Sequence, residues 1–483
     1  MSSFVKKITM FSMIMMIVWF GRSSNAQKIP LNLELTTKPG STPKPLTLDI
    51  NQAIQIALQN SKTLKLAAEA VQKAHGAVIE QKDGFLPSLN FAGTYTHLNT
   101  GASASFPTGP NGQSVSVPIV IQDQANFSLT AMLPVDIMGL IKTSVDAAQF
   151  QEIAARLNYN ATRNQLILNV KNAYYNVLRS QAYVVVAQQS LQNAQDQEKT
   201  SQSYLNEGTG TRFDVLRSQT AVANAQQSLL SAQNQVNLAI ASLDNVLNID
   251  QNTPLTLKDD VNDSPVDITF DQALAKAYAN RPEVLQADAM IQAAQKGVRL
   301  ADRSMLPSLG LSWTGSANPN ASAFNPLSTS WAFTAQVSVP IFDQGVSNAR
   351  IEQAHADVNS AKIDKQMTLD GIALQVRQAY LSLKDAEDRL KVTSAAMAEA
   401  QEQYRLAEVR FKEGVTQTPG GSPLLEISDA QTALAQAQTN QVNAEYDVAN
   451  DKAILDEAMG LYAFDTNSKP GYSNPTQVKG MVK

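Results

Sequence analysis

The tetrapeptide Leu-Pro-Ser-Leu occurs twice in this chain, as Leu86-Pro87-Ser88-Leu89 and as Leu306-Pro307-Ser308-Leu309. At each copy the spacing of the apolar residues changes. Before Pro87 they recur three and four residues apart, as on one face of a helix, and after it they alternate with polar residues, as in a strand. Proline explains the change, because it has no N–H to donate within a helix and disfavours the α conformation in the preceding residue. Pro87 and Pro307 are therefore predicted helix-to-strand junctions.

The order of elements around these junctions predicts an internal duplication, with repeats at residues 49–248 and 268–460. In the first repeat we predict a helix at about 49–83, strands at about 89–98 and 126–133, a long helix at 140–206 and a helix at 213–248. In the second we predict a helix at 268–303, strands at about 309–316 and 331–339, a long helix at 345–413 and a helix at 424–460. Pro134 and Pro340 are expected to end the second strand of each pair.

Three segments outside these elements have a loop-like composition. Residues 99–120 are rich in Gly, Ser and Pro and predict an exposed loop. The segment 249–267, which connects the repeats, and the tail 461–483 are rich in Asp, Asn, Pro and Thr. We expect both to lie near the level where the shorter helices meet.

The two long helices carry the 3.5-residue repeat of coiled coils. Apolar or small residues are spaced four and three apart from Leu166 to Ala194, and adding 206 to each position gives an equivalent set from Ile372 to Ala400. At 1.5 Å per residue a long helix measures ~100 Å, which is about twice the length of the shorter ones. We therefore expect each repeat to place one long helix beside two stacked shorter helices.

The N-terminus predicts a secretory signal peptide at residues 1–26. Lys6 and Lys7 precede an apolar run at 8–20, and Ser24-Asn25-Ala26 supplies small residues at the cleavage site. A membrane anchor is disfavoured because the run is shorter than the ~20 residues that a spanning helix needs. Residues 27–48 are expected to be irregular, and no apolar run of spanning length follows.

Composition argues against several classes of function. The chain has 483 residues, a formal net charge of −5 and no cysteine. The negative charge argues against a nucleic-acid partner, and the lack of cysteine leaves no disulfide, thiolate metal ligand or catalytic thiol. His75, His97 and His355 lie in separate segments without metal-ligand spacing. We expect no enzyme activity, no metal and no cofactor.

The four strands predict either a membrane barrel or part of a soluble sandwich. Their apolar rows suit lipid, and their lengths are close to the ~9–11 residues of a membrane strand. Four strands in lipid would leave two unpaired edges, so several copies would have to close a barrel. Two copies give about eight strands and a filled interior, whereas three give about twelve and can leave a channel. The signal peptide and the coiled coils favour the barrel.

The sequence resembles the TolC-type outer-membrane efflux proteins over nearly the whole mature chain. The resemblance rests on the duplicated Leu-Pro-Ser-Leu junctions and on three segments, Pro340-Ile-Phe-Asp-Gln-Gly345, Glu207-Gly-Thr-Gly-Thr-Arg-Phe-Asp-Val-Leu216 and Phe411-Lys-Glu-Gly414. It implies a mainly α protein with a small transmembrane β part, in which a homotrimer forms a twelve-stranded β-barrel in the outer membrane that continues into a periplasmic α-barrel. It implies an exit duct for small molecules or proteins in tripartite efflux or type I secretion.

The resemblance also implies that the helical tips dock a periplasmic adaptor and an inner-membrane pump. The candidate residues for adaptor contact are Gly208, Thr209, Gly210, Gly414 and Val415. The second tip departs from the family pattern, because residues 416–423 are inserted there. A passive porin-like channel and a soluble periplasmic scaffold or adaptor stay open as alternative functions.

Acidic residues follow both tip turns, with Asp214 in the first repeat and Glu426 and Asp429 in the second. In a threefold assembly, like carboxylates would approach the axis and form rings that favour cations and repel one another. We predict that they form a gate, for which Arg212 and Arg217 are further candidates. The alternative is that these carboxylates only complement the N-terminal dipoles of their helices.

Overall fold

The computed structural model describes residues 46–107, 114–120, 122–251, 253–258, 267–319, 329–415 and 423–462. The predicted signal peptide, most of the irregular segment after it, almost all of the insertion and nearly the whole C-terminal tail lie outside these residues. No helix in the described ranges combines the length and the apolar character needed to cross a membrane.

The described residues of the first repeat form four helices. They are α1 (Ile50–Asn60), α2 (Lys62–Asp83), α3 (Leu140–Asn206) and α4 (Arg212–Leu247). The strand β1 (Leu46–Leu48) directly precedes the repeat, and the strands within it are β2 (Ser88–His97), β3 (Ala102–Pro107), β4 (Ser114–Val120) and β5 (Asp123–Val135).

The second repeat has the same helical order. The strand β6 (Leu255–Leu257) lies in the connecting segment, and the elements of the repeat are α5 (Phe270–Asn280), α6 (Pro282–Asp302), β7 (Ser308–Ala317), β8 (Thr329–Ser338), α7 (Val346–Glu413) and α8 (Pro423–Ala458). The long helices α3 and α7 have 67 and 68 residues. The duplication thus preserves their length.

The prediction of one helix before each strand pair was wrong, because each is divided in two. Ser61 leaves the helical conformation with ψ at 122°, and its hydroxyl accepts a hydrogen bond from the N–H of Leu64 to cap α2. At the equivalent point Arg281 is extended and Pro282 begins α6. Proline disfavours the α conformation in the residue before it and suits the first position of a helix, so the second break follows from sequence.

The prediction of an exposed loop at residues 99–120 was also wrong. Most of this segment forms the antiparallel hairpin of β3 and β4, in which Phe106 pairs with Val115. Short alternations of small and β-branched residues supply strand propensity on either side of a Gly- and Pro-rich turn sequence. Because β3 and β4 are short and are flanked by loop-forming residues, they were not predicted as strands.

Segments predicted to be irregular or connecting contain a small parallel sheet. β1 pairs with β6, so Leu46 lies opposite Leu255 and Leu48 opposite Leu257. The hydroxyl of Tyr174, which is buried in α3, donates to the carbonyl oxygens of Leu48 at 3.1 Å and Lys258 at 2.6 Å. The start of one repeat is therefore tied to the start of the other at the middle of a long helix.

The larger sheet is antiparallel with the order β2-β5-β7-β8. Pro134, which was predicted to end its strand, lies inside β5 and pairs with Gly310 of β7. The pairing with β2 stops at Met132, so no donor is needed at Pro134 on that side. Pro340 does lie beyond its strand, because β8 ends at Ser338. β2 and β8 form the two edges of this sheet within the chain.

The heptad positions of both long helices are largely buried. The buried members are Leu166, Val170, Val177, Ser180 and Ala194 in α3, and Ile372, Val376, Ala379, Leu383, Ala386 and Ala400 in α7. Tyr446 of α8 belongs to the same apolar cluster as Val170 and Leu243. α8 therefore packs against α3 as well as α7, and the hairpins of the two repeats form one helical layer.

Candidate channel surfaces: helical tips and sheet faces

The first tip, residues 207–211, is a tight turn after α3. Gly208 has a φ of +75°, which favours glycine, and the N–H groups of Thr209 and Gly210 donate to the carbonyl oxygen of Tyr204 at 2.9 and 2.8 Å. A Cβ on Gly210 would lie 2.9 Å from the Cβ of Tyr204. The glycines are thus required by the turn itself, whatever binds to it.

Asp214 caps the helix that follows this turn. Its carboxylate accepts from the hydroxyl of Thr211 at 2.6 Å and from the Thr211 N–H at 3.3 Å, while the Thr211 hydroxyl accepts from the Asp214 N–H at 3.2 Å. This reciprocal arrangement is a capping box, which satisfies two N–H groups at the start of α4. It agrees with the alternative in which the carboxylate complements the N-terminal dipole of its helix. Asp214 is half-buried, Arg212 is exposed and Arg217 is half-buried.

The second tip begins at Gly414, which has a φ of +69°. The N–H of Gly414 donates to the carbonyl oxygen of Phe411 at 3.3 Å, and that of Val415 to Arg410 at 3.0 Å. These bonds satisfy the last carbonyl groups of α7. On the other side of the insertion, Glu426 is half-buried in the first turn of α8, and Asp429 is exposed one turn later. The predicted gate residues thus lie in the first two turns of α4 and α8.

A hydrogen bond that sequence reasoning missed joins the two tips. The hydroxyl of Tyr204 in α3 donates to the carbonyl oxygens of Phe411 at 3.1 Å and Lys412 at 2.8 Å in α7, and the Tyr204 and Phe411 rings meet edge to face. Phe411 is buried in a small apolar cluster at this end. Its other buried members are Ala407, Leu424, Ile427 and Ala430. An aromatic residue just before a tip turn was the available sequence signal.

Further from the tips, polar groups join three helices. Asp447 of α8 accepts from Arg179 of α3 at 2.9 Å and from Arg389 of α7 at 3.2 Å. Nearby, the Tyr183 hydroxyl of α3 donates to the side-chain oxygen of Asn443 in α8. Asp447 and Arg179 are about three-quarters buried, so their attraction is less screened than that of a surface pair. The spacing of charges along one helix does not reveal such cross-helix contacts.

A left-handed glycine precedes each long helix, where the chain passes from a strand to a helix. Gly139 (φ +70°) caps α3 and Gly345 (φ +89°) caps α7. At the first junction, Arg303 donates from Nη1 to the carbonyl oxygen of Gly139 and to the hydroxyl of Thr143, both at 2.8 Å. Arg303 ends α6, so this contact ties the second repeat to the start of α3. Pro87 and Pro307 directly precede β2 and β7 as predicted.

The larger sheet has one apolar and one polar face. Strand register places Phe91 opposite Leu129, Leu129 opposite Gly315, and Gly315 opposite Trp331. Side chains alternate along a strand, so the row of paired residues one position away on each strand belongs to the other face. That row is Ala92, Ser128, Ser316 and Ser330. The exposed large apolar residues of the sheet include Leu89, Phe91, Tyr95, Phe127, Trp313, Trp331, Phe333 and Val337. They form an uncovered apolar band.

One buried acid lies far from the tips, near the end of α4. Asp244 is fully buried, and neither of its carboxylate oxygens has a hydrogen-bond partner. Burial, with a smaller contribution from the nearby Asp250, raises the pKa of Asp244 to about 6. Among the described residues, no group of three or more His, Asp or Glu side chains is arranged to hold a metal ion.

Solved structures share this arrangement of a strand-pair sheet and two long helical hairpins. The crystal structure of the outer membrane protein VceC from Vibrio cholerae matches with a TM-score of 0.68 and 18% identity, covering 85% of this chain and 96% of that one. The fold is therefore that of outer-membrane channel proteins. This confirms the predicted mainly α class with long helical hairpins.

The sequence profile of the family described as "Outer membrane efflux protein" matches residues 53–248 and 273–461. The chain belongs to this family. It is an efflux protein of the outer membrane, which confirms the predicted family, function and location.

Two curated relatives match over most of their length. The probable efflux pump outer membrane protein TtgC of Pseudomonas putida KT2440 is 24% identical over 420 residues, covering 85% of this chain and 82% of the relative. The cation efflux system protein CusC of Escherichia coli K12 is 21% identical over 415 residues, covering 85% and 86%.

Proposed function

We propose that three copies of this chain form an exit channel through the outer membrane. The observation that carries the proposal is the four-stranded sheet with two edges, β2 and β8, that pair with no further strand among the described residues. Unpaired N–H and C=O groups are costly in lipid, and pairing β8 of one copy with β2 of the next satisfies them. Three copies contribute about twelve strands, enough for an open lumen, whereas about eight strands leave an interior filled by side chains.

The two faces of the sheet differ in polarity, which supports a barrel with its apolar face against lipid. A row through Phe91, Leu129 and Trp331 faces one side, and its neighbour through Ser128, Ser316 and Ser330 faces the other. A barrel in lipid needs an apolar outer surface, and an aqueous channel needs a polar inner one. With the apolar face outward, the long helices would extend the channel into the periplasm by ~100 Å.

We further propose that the helical tips dock a periplasmic adaptor and an inner-membrane pump. Support comes from the relatives, which are named as the outer membrane protein of an efflux pump and as part of a cation efflux system. The turns at Gly208, Thr209 and Gly210 in the first tip and at Gly414 and Val415 in the second are the parts of the described hairpins that such a partner would meet. Type I secretion of proteins uses the same docking and belongs to the same proposal.

The experiment is affinity purification of the full-length chain from cross-linked cells. Recovery of an adaptor and a pump of the inner membrane is expected, and a passive porin would be recovered without them. Extraction that requires detergent is also expected, because the apolar face lies in lipid. Release of the mature chain by osmotic shock alone would instead indicate a soluble periplasmic scaffold.

The tip carboxylates form the gate in this proposal. Asp214, Glu426 and Asp429 occupy equivalent regions of the two hairpins, and copies related by threefold symmetry would form rings of like charge. We expect the double variant Glu426→Gln, Asp429→Asn to weaken block of the single-channel current by divalent cations. Unchanged block would mean that these acids only cap their helices and do not form a gate. The hydrogen bonds of Asp214 already give it this capping role.

A further inference from the structure

Charged residues are almost absent from the sheet and from the segments that connect its strands. Residues 84–135 contain one acid, Asp123, and no Lys or Arg, while residues 304–342 contain no Asp, Glu, Lys or Arg. The chain as a whole is 17% charged. This depletion coincides with both strand pairs and covers both faces of the sheet.

Contact with lipid explains the depletion on the apolar face only. Charged side chains facing lipid are costly, but the lumen of a membrane barrel tolerates them, and their substitution there changes selectivity. On the polar face of this sheet every hydrogen-bonding side chain is a hydroxyl or an amide. Representative residues are Asn90, Thr94, Asn126, Thr130, Ser312 and Gln336.

The neutral groups of this face contact one another across the strands. The hydroxyls of Thr130 and Thr314 are 3.4 Å apart, and those of Ser316 and Ser330 are 2.7 Å apart. These contacts extend from the middle of the sheet to its outer end. The donors and acceptors of the polar face are therefore all uncharged, and the residues between them, such as Ala92, Met132 and Ala332, carry no charge either.

The single acid of the region does not belong to this face. Asp123 lies opposite His97 in the strand register. Because side chains alternate along a strand, both residues belong to the same face as Phe91 and Trp331. Its carboxylate accepts from the Tyr95 hydroxyl at 2.7 Å and lies 2.7 Å from Nδ1 of His97. Its charge is thus held on the apolar side, at the outer end of the sheet.

We propose that the membrane-spanning part of the channel is charge-neutral and transmits cationic and anionic solutes equally. The inference rests on the proposed trimer with its polar face inward. The acids at the helical tips lie ~100 Å along the long helices, far beyond the ~8 Å over which physiological salt screens charges. Any discrimination by charge therefore takes place outside the membrane-spanning part, and exported compounds are not sorted by the sign of their charge at the membrane.

The lack of cysteine in the chain makes a direct test possible. The variant Ser312→Cys places one thiol on the polar face with almost no change in size. Full-length protein in lipid vesicles is treated with a cationic and an anionic methanethiosulfonate of similar size, and the ratio of their rates is normalised to that of a free thiol in solution. We expect a normalised ratio within about twofold of one, because no local charge attracts either reagent. A ratio of about tenfold or more in either direction would overturn the inference.

Two further variants keep the result interpretable. Adding Thr314→Asp beside Ser312→Cys introduces a carboxylate on the same face and should shift the ratio toward the cationic reagent by about tenfold; no shift would overturn the premise that local charge governs access. Ala131→Cys lies on the apolar face, opposite Leu89 and Trp313. It should resist both water-soluble reagents. If Ala131→Cys reacts and Ser312→Cys does not, the proposed barrel orientation fails, which is distinct from a charged lumen.

Discussion

The hydroxyl of Tyr204, three residues before the first tip turn, lies 2.8 Å from the carbonyl oxygen of Lys412 at the end of the second long helix. This contact joins the two hairpins of one chain at the end where the proposed gate lies. A neutral hydrogen bond contributes about 1 kcal/mol, enough to favour this arrangement of the tips without locking it.

Tyr204→Phe should therefore loosen the tips. The ring still packs on Phe411, but the hydrogen bonds to Phe411 and Lys412 are lost, at a cost of about 1 kcal/mol. We expect single-channel recordings to show more frequent open events. Tyr404→Phe, which changes a tyrosine on the same cluster but within the second hairpin, is the control. Equal behaviour of the two variants would show that the link does not restrain opening.

Asp447→Asn should destabilise the contact between the helical hairpins. Asp447 joins Arg179 of α3 to Arg389 of α7, and its removal leaves a largely buried guanidinium without its carboxylate. We expect a loss of about 1–2 kcal/mol in the free energy of unfolding, measured by denaturant in detergent. Asp388→Asn removes the exposed pair with Lys391 and should cost no more than about 0.5 kcal/mol. Comparable losses in both variants would contradict a special role for Asp447.

The two junction glycines offer a matched pair of substitutions. Gly139→Ala places a Cβ at a positive φ, 2.9 Å from Nη1 of Arg303, whereas Gly345→Ala meets nothing within 4 Å. Both variants incur the cost of a left-handed alanine, about 1–2 kcal/mol, but only Gly139→Ala also displaces the arginine. Thermal unfolding in detergent should show the larger loss for Gly139→Ala. The reverse order would mean that the Arg303 contact adds nothing to the junction.

Asp244→Asn should change how stability depends on pH. The folded pKa of about 6 lies above the ordinary aspartate pKa of 3.8, so the fold favours the protonated acid and the wild type loses stability as the pH rises from about 4 through 6. The difference corresponds to at most ~3 kcal/mol. The variant cannot ionise there, so it should be the more stable protein at pH 7, by about 1–3 kcal/mol, and nearly equal at pH 4. Parallel stability curves across this range would show that Asp244 does not ionise within the fold.

The sequence predicted the elements with strong periodicity. The heptads from Leu166 to Ala194 repeat 206 residues later, and both sets lie in the long helices. The alternation after Pro87 and Pro307 located the strands that form the sheet. These patterns can be recognised in the sequence because each one arises from a single face of a helix or strand. That face is buried, or lies in one environment, over many residues.

Short elements and contacts between distant segments were not predicted. The three-residue strands β1 and β6 are too short for a period, and the break at Ser61 depends on one hydroxyl. The links from Tyr204 to Lys412 and from Arg179 to Asp447 join residues more than 200 positions apart. Nothing in the local sequence of either partner indicates the other. The predicted gate acids are placed near the tips, while their role depends on neighbouring copies of the chain.

In the proposed trimer, three copies close one barrel by pairing β8 of each with β2 of the next. The decisive measurement places one cysteine on β2, at Asn90, and scans a second along the polar face of β8 at positions 330, 332, 334, 336 and 338 in membranes under oxidising conditions. We expect one pairing to give a ladder of covalent species that ends at the trimer. A ladder that ends at the dimer, that continues past the trimer, or that never forms at any position would contradict it.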